Sequence, residues 1–244
     1  MMKSKKAQTS IFETTLIIAL LLVCVYSLFA FSGLKGKVET SFMAPAKLID
    51  IYSEKENIEF YLEESGKLAA SEAFYNVASK GAVSNAECRE YHGYFIWEGR
   101  CNPSSENFIG FFNSSLANIS GRKFDSRLEN NKLTVDFENV TLNTSEKSNF
   151  VLYSVNYTFM PSIEIDLAKE GMNLDFKNVH SSALEKLREC KKVGNTLDCM
   201  NQFKADGWKT SVSSDGEYLL FDLSTEKRFF VNEDFQPIVL KFAL

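Results

Sequence analysis

Histidine is nearly absent from this chain. Only His92 and His180 occur in 244 residues, and neither stands in an H-E-x-x-H or H-x-H arrangement. Most catalytic zinc sites draw on such paired imidazoles, so that chemistry finds no support here. Glycine-built fingerprints are missing as well: there is no G-x-S-x-G elbow, no P-loop and no dinucleotide motif. Nor is there a D-x-D-x-D-G run to wrap calcium. Positive charge is not in excess. The net charge is −5, and without Lys3, Lys5 and Lys6 the remaining 24 basic residues face 32 acidic ones, a net of −8. A nucleic-acid binder carries the opposite footprint, and a polybasic patch for anionic lipid is equally lacking. Internal repeats and low-complexity linkers do not occur either.

Carboxylates are plentiful, but their spacing does not suggest acid–base work. Glu63 and Glu64 are adjacent, so on a helix they point about 100° apart. Asp50 and Glu54 share one solvated helix face, and Glu63 with Lys67 reads as a favourable i,i+4 pair. The two histidines read as structural, His180 as a residue near a helix start. No catalytic residue, metal ligand or cofactor site is nominated, and a non-enzymatic protein is expected. An exported hydrolase, whose carboxylates need no sequence signature, ranks third among the readings.

What the chain does have is one long apolar run. Thr14 to Leu34 is 21 residues without a charge, about 31 Å as a helix, which matches a bilayer's hydrocarbon core. A cleaved secretory signal has a shorter apolar region of roughly 7–15 residues and a small-residue cut site, for which Ser32-Gly33 is a poor match. A retained transmembrane helix is expected over 14–34. Lys3, Lys5 and Lys6 precede it and the bulk of the chain follows, so the N-terminus is expected in the cytoplasm and the rest outside.

The flank of this run carries a resemblance. Lys5-Lys6-Ala7-Gln8-Thr9-Ser10, followed by Glu13 and the apolar helix, resembles the class III signal of archaeal type IV pilins. The resemblance implies cutting by a membrane-embedded signal peptidase between Ala7 and Gln8, with the apolar helix retained. It also implies an assembly role for Glu13, pairing with a neighbour's terminal amine, although Glu13 would be the sixth mature residue where the family has its acid at the fifth. A plain type II anchor with Glu13 among the headgroups is the alternative. The layout is also similar to anchored exported proteins of archaea with reduced genomes, which end in a strand near PI-x-L-x-F, here Pro237 to Phe242.

Five cysteines divide by position. Cys24 lies in the apolar run, a small apolar filler. Cys88, Cys101, Cys190 and Cys199 lie on the exported side, and an even count there suggests disulfides. The local pairs Cys88–Cys101 and Cys190–Cys199 are favoured, each closing a short loop; a four-cysteine zinc site is the alternative, at spacings unlike C-x₂₋₄-C. Asn-x-Ser/Thr sequons occur at Asn113, Asn118, Asn139, Asn143 and Asn156, all in one window, as on a glycosylated exposed face.

Gly33, Gly36 and Pro45 are expected to interrupt the helix in a joint over 35–45. The exported domain follows, 46–244. From Ala46 to Lys80, Ile58, Leu62, Ala69, Ala73 and Val77 form an apolar stripe with Gly81 as stop, and Ser53–Asn57 admits two helices. Ser104 is the expected N-cap of a helix bearing Phe108, Phe111, Phe112, Leu116 and Ile119. Strands are expected over Lys132–Leu142 and, interrupted near Pro161, over Phe150–Leu167. Helices over Ser182–Cys190 and Thr196–Lys204 lead into a meander of Trp208–Val212, Glu217–Leu223, Lys227–Val231 and Pro237–Ala243. Grouped helices and strands predict an α+β fold with helices packed on antiparallel sheet.

The stretch between Cys88 and Cys101 is rich in aromatics. Tyr91, Tyr94 and Trp97 are either a ligand loop or, as the alternation of Phe95 and Trp97 suggests, a hairpin plugging the core. The leading expectation is therefore a single-pass, pilin-like cell-surface protein that self-assembles or meets pilin-type partners. The rival is a solitary anchored receptor or adhesion module using the aromatic loop.

Overall fold

In the computed structural model, residues 4–83, 88–147 and 152–244 are described. They form an α+β fold in two compact units, the first made of Met1–Lys55 with Thr141–Tyr157, the second of Glu56–Val140 with Thr158–Leu244.

A single helix, α1 (Ser4–Ser79), runs through both. The expected joint over 35–45 is therefore corrected: the backbone there is helical, and Ser53–Asn57 does not divide the helix. Breaker counting treats each glycine or proline alone. Once a helix is nucleated, an internal proline removes one i→i−4 bond while the turns on either side keep theirs. The side chains of 1–16 and 31–45 lie outside the described residues. The described part of the expected span is Ile17–Ala30, and among the described residues no helix is long and apolar enough to cross a membrane. Strands β5 (Val140–Lys147) and β6 (Leu152–Phe159), which lie in the first unit except for Val140, Thr158 and Phe159, form a two-stranded sheet. Ile51 and Leu142 are buried there, and the Tyr52 and Tyr157 rings lie 6.0 Å apart.

In the second unit the expected stripe of α1 is the buried face. Leu62, Ala69, Ala70, Ala73, Phe74, Val77 and Ala78 are all inaccessible or nearly so. Their spacing of three and four residues keeps them on one side of the helix. Gly66 lets that side approach strand β7 (Ser162–Asp166), since a Cβ there would lie 2.6 Å from Ile163 Cδ1 and 2.9 Å from Ile165 Cδ1. The helix stops as its sequence predicts. Gly81 is left-handed at φ 64°, its N–H donates to the Ala78 carbonyl, and the Ala82 N–H donates to the Val77 carbonyl. That pair of bonds is a Schellman motif. A Cβ on Gly81 would meet the Phe95 ring at 2.4 Å. Gly81→Ala is accordingly expected to cost about 2 kcal/mol or more, left-handed strain plus a clash. Gly99→Ala, also at positive φ but facing open space, should cost only the backbone part. Denaturant midpoints of the two variants check this.

Two sheets surround that helix face. One is antiparallel, order β3-β4-β7, with β3 (Phe124–Glu129) and β4 (Lys132–Phe137) joined through Asn130 and Asn131, both at positive φ. Consecutive positive-φ residues close a two-residue hairpin of the twist strands prefer. The sequence reading missed β3, whose alternate residues are only half-buried.

The other sheet has five strands in the order β1-β2-β10-β9-β8: β1 (Glu90–Tyr91), β2 (Tyr94–Ile96), β8 (Trp208–Ser214), β9 (Leu219–Val231) and β10 (Asp234–Ala243). The expected meander β8-β9-β10 is present, but β2 adds to it in parallel, alongside Phe242 and Ala243. Two expected strands are one, β9. The buried Thr225 hydroxyl donates to the Lys227 carbonyl at 2.8 Å and accepts from the Ile238 N–H at 2.9 Å, opposite the register shift at Pro237/Val239. A side chain thus completes the ladder where Ser-Thr-Glu reads as a turn.

Helix starts differ from expectation too. Helix α2 (Phe108–Ser120) is preceded by Asn107, while Ser104 Oγ accepts from the Glu106 N–H in the turn before it. Helix α3 (Phe176–Cys190) begins six residues before the expected Ser182, capped by Asp175, which accepts from the Asn178 N–H at 3.1 Å. His180 is therefore inside α3 and caps nothing. Helix α4 (Thr196–Met200) is shorter than expected.

Candidate functional site

The four exported-side cysteines pair as disulfides, Cys88–Cys101 and Cys190–Cys199, each with Cα atoms 5.5 Å apart. The zinc alternative is thereby corrected, and no group of metal-ligating side chains occurs among the described residues. The second bridge ties the end of α3 to α4. The first ties together the two flanks of the β1–β2 hairpin, the aromatic stretch singled out from the sequence.

That hairpin turns at His92 and Gly93, both at positive φ, and pairs Glu90 with Phe95 and Tyr91 with Tyr94. The strand pleat then divides its aromatics between two faces. Inward, the Trp97 ring stacks on Phe242 at 3.7 Å, Phe242 on Phe221 at 4.6 Å, and Phe203 meets Phe221 edge-on. Trp97 is 2% exposed and its indole N–H donates to the Gly81 carbonyl at 2.8 Å. Trp97 is thus removed from the candidate ligand loop: it is core.

Tyr91 and Tyr94 remain on the surface. The Tyr94 hydroxyl donates to Asp222 Oδ2 at 2.8 Å, and Lys241 Nζ lies 3.7 Å from Asp222 Oδ1 and 5.4 Å from the Tyr94 ring centroid. Tyr91 lies against His92 edge-on and beside Tyr218 at 4.9 Å. Its hydroxyl faces Asp215, and that hydrogen bond holds the phenol up at about 12. Asp215 is held below its usual range, first by the Tyr218 backbone N–H and then by Tyr91. Its carboxylate accepts from the Glu217 and Tyr218 N–H groups, which fixes the loop before β9. A cleft of about 350 Å³ beside Tyr218 is lined by Arg89, Ile96, Glu98, Gly99 and Cys101. Tyrosine faces with charged groups at their rim can take a polar ligand. Asp215, Tyr218, Asp222 and Lys241 escaped the sequence reading because only sheet pairing brings them to the hairpin.

His180 packs edge-on to Trp97 at 5.5 Å, and its Nε2 is buried without a partner. Burial lowers its pKa, opposed by a hydrogen bond with the Trp97 backbone. The depressed value means that the unfolded chain takes up a proton first. Stability is then full above about 6.5, the ordinary histidine value, and falls as the pH drops through it toward the lower folded value. His180→Phe should flatten that part of the profile, read as denaturation midpoints between pH 7.5 and 5.

The remaining sequence-nominated residues are dispersed. Lys5, Lys6, Ala7, Gln8 and Glu13 lie in α1 with side chains outside the described residues. Asn118, Asn139, Asn143 and Asn156 are exposed, whereas Asn113 is half-buried and its Oδ1 accepts from Ser126 Oγ at 2.6 Å. The hydroxyl of its sequon, Ser115, is buried and donates to Glu72.

No protein-family model matches the chain, and no curated protein or solved structure is detectably similar to it.

Proposed function

We propose that this chain is a membrane-anchored, outward-facing surface protein of pilin type, without a catalytic role. Its N-terminal helix stays in the bilayer or among like helices, and its disulfide-tied α+β domain faces outward. One observation carries the reading. The described apolar stretch of α1 is exposed among the described residues, with Ile17, Leu20, Leu21, Leu22, Val23, Tyr26 and Leu28 each more than half accessible. An apolar surface of that kind on all sides of a helix calls for lipid or another helix. The same helix goes on to pack its Leu62–Ala78 face into the core of the second unit, the use of a long N-terminal helix that the Lys5–Ser10 resemblance implies.

Co-expression with a class III signal peptidase, followed by N-terminal sequencing, tests the pilin-type part. A mature chain beginning at Gln8 is expected, and Ala7→Leu should block it. A chain that keeps Lys5 and Lys6 reduces the reading to a plain anchor.

The surface tyrosines favour a second reading, an anchored ligand-binding or adhesion domain. Tyr91, Tyr94 and Tyr218 are fixed by Asp215 and Asp222 beside the small cleft. Tyr218→Ala should then abolish capture of surface polysaccharide or protein while leaving the denaturation midpoint within about 1 kcal/mol.

A further inference from the structure

The five Asn-x-Ser/Thr sequons fall on two kinds of backbone. Asn113 and Asn118 lie in helix α2, whereas Asn143 lies in β5, Asn156 in β6, and Asn139 immediately before β5. A sequon is read through two side chains, the asparagine amide and the hydroxyl two residues on. On a helix those two stand about 200° apart; on a strand they share a face.

Both strands keep the alternation. Along β5, Asn139, Thr141, Asn143 and Ser145 are exposed, while Val140 and Leu142 are buried and Thr144 is half-buried. Along β6, Ser154, Asn156 and Thr158 are exposed and alternate with half-buried Val155, Tyr157 and Phe159. Each of these three sequons therefore sets its amide and its hydroxyl side by side on an accessible face. The helical sequons do not. Asn113 is half-buried with its Oδ1 engaged by Ser126, and the buried Ser115 hydroxyl donates to Glu72. Asn118 is exposed, but Ser120 is half-buried and its hydroxyl donates to the Leu116 carbonyl at 2.7 Å.

We propose that the outer row of β5 and β6 is a modification site, N-glycosylated on the folded chain at Asn139, Asn143 and Asn156, with Asn113 and Asn118 left bare. The donor is a lipid-linked glycosyl phosphate. The asparagine Nδ2 bonds to the anomeric carbon of the sugar, the bond from that carbon to the phosphate oxygen breaks, and the proton lost by the amide passes to the departing phosphate. The proposal rests on the reading of this domain as outward-facing, since sequons of this kind are modified on exported chains.

The test expresses the full chain, with an Asn-Gly-Thr tag after Leu244, in a host that carries an N-glycosylation pathway. Peptide mass mapping then gives the occupancy of every site. The three strand sites are expected to exceed Asn113 and Asn118 in occupancy by about tenfold or more, because only they present amide and hydroxyl together. Ser145→Ala should empty Asn143 alone and Thr158→Ala should empty Asn156 alone, while Ser145→Thr keeps Asn143 filled. A glycosylated tag beside bare strand sites overturns the proposal and leaves the outward-facing reading standing. A chain bare at the tag and at every site overturns both. Helical sites filled as fully as the strand sites also sink the proposal, because the folded shape would then have selected nothing.

Discussion

Trp97→Ala is expected to destabilise the second unit by about 3–5 kcal/mol, the usual cost of truncating a buried aromatic. Three losses combine at this position. The indole is 2% exposed and stacks on Phe242 at 3.7 Å, within a row that continues to Phe221 and Phe203. Its removal opens a cavity at one end of that row, and rings already packed against one another have little freedom to fill it. The Gly81 carbonyl, which accepts the indole N–H at 2.8 Å, is left unpaired just past the end of α1, a cost of about 1–3 kcal/mol if water does not reach it. Trp97→Phe should recover the stacking and lose only the hydrogen bond, falling about halfway between. Denaturant unfolding of the three proteins checks the order. If Trp97→Ala were as stable as the parent, the residue would not be core, and its place in a ligand loop would have to be restored. Tyr94→Phe, on the opposite face, should cost under about 1 kcal/mol, because its bond to Asp222 is partly exposed to water.

On the proposed reading of the N-terminal helix as an anchor, Leu21→Arg is expected to be the most disruptive change to it. Leu21 is 60% exposed and central in the apolar stretch. On an insertion scale, replacing leucine by arginine at a helix centre costs about 3 kcal/mol, or roughly a hundredfold in the insertion equilibrium. The variant should move from the alkali-resistant membrane fraction toward the soluble fraction, while Leu21→Ala stays in the membrane. The folded domain should be unaffected, as the denaturation midpoint of the solubilised variant would show. Retention of Leu21→Arg at parental level would argue against burial of this helix in lipid.

Much of the second unit could be read from neighbours along the chain. The stripe from Leu62 to Val77 and its stop at Gly81 are visible because a helix obeys one period and a left-handed glycine ends it. The cysteine pairing was legible for a similar reason, as each bridge closes a loop of 13 or 9 residues. The places where reading failed are those where distant groups intervene. Thr225 reads as part of a turn until Ile238, thirteen residues on, supplies the hydrogen bond that keeps β9 straight. One failure is local instead: helix α1 continues through the glycines and Pro45 because cooperative bonding outweighs single-residue propensity.

The candidate surface followed the same division. Tyr91 and Tyr94 could be nominated from their aromatic cluster, but Trp97 could not be separated from them by composition. Tyr94 turns outward within β2, and Trp97, just past the end of that strand, packs into the core. Asp215, Asp222 and Lys241 join Tyr91 and Tyr94 only through sheet pairing.

By itself, then, the sequence determined the apolar helix, its basic flank, the two local bridges and the α+β content, since all of these depend on residues a few positions apart. Tertiary structure alone decided which aromatics face solvent, which face of α1 is buried against the sheets, and which strands stand beside one another. Each of these rests on contacts between segments that are remote in the chain, and no local pattern encodes where a remote partner will stand.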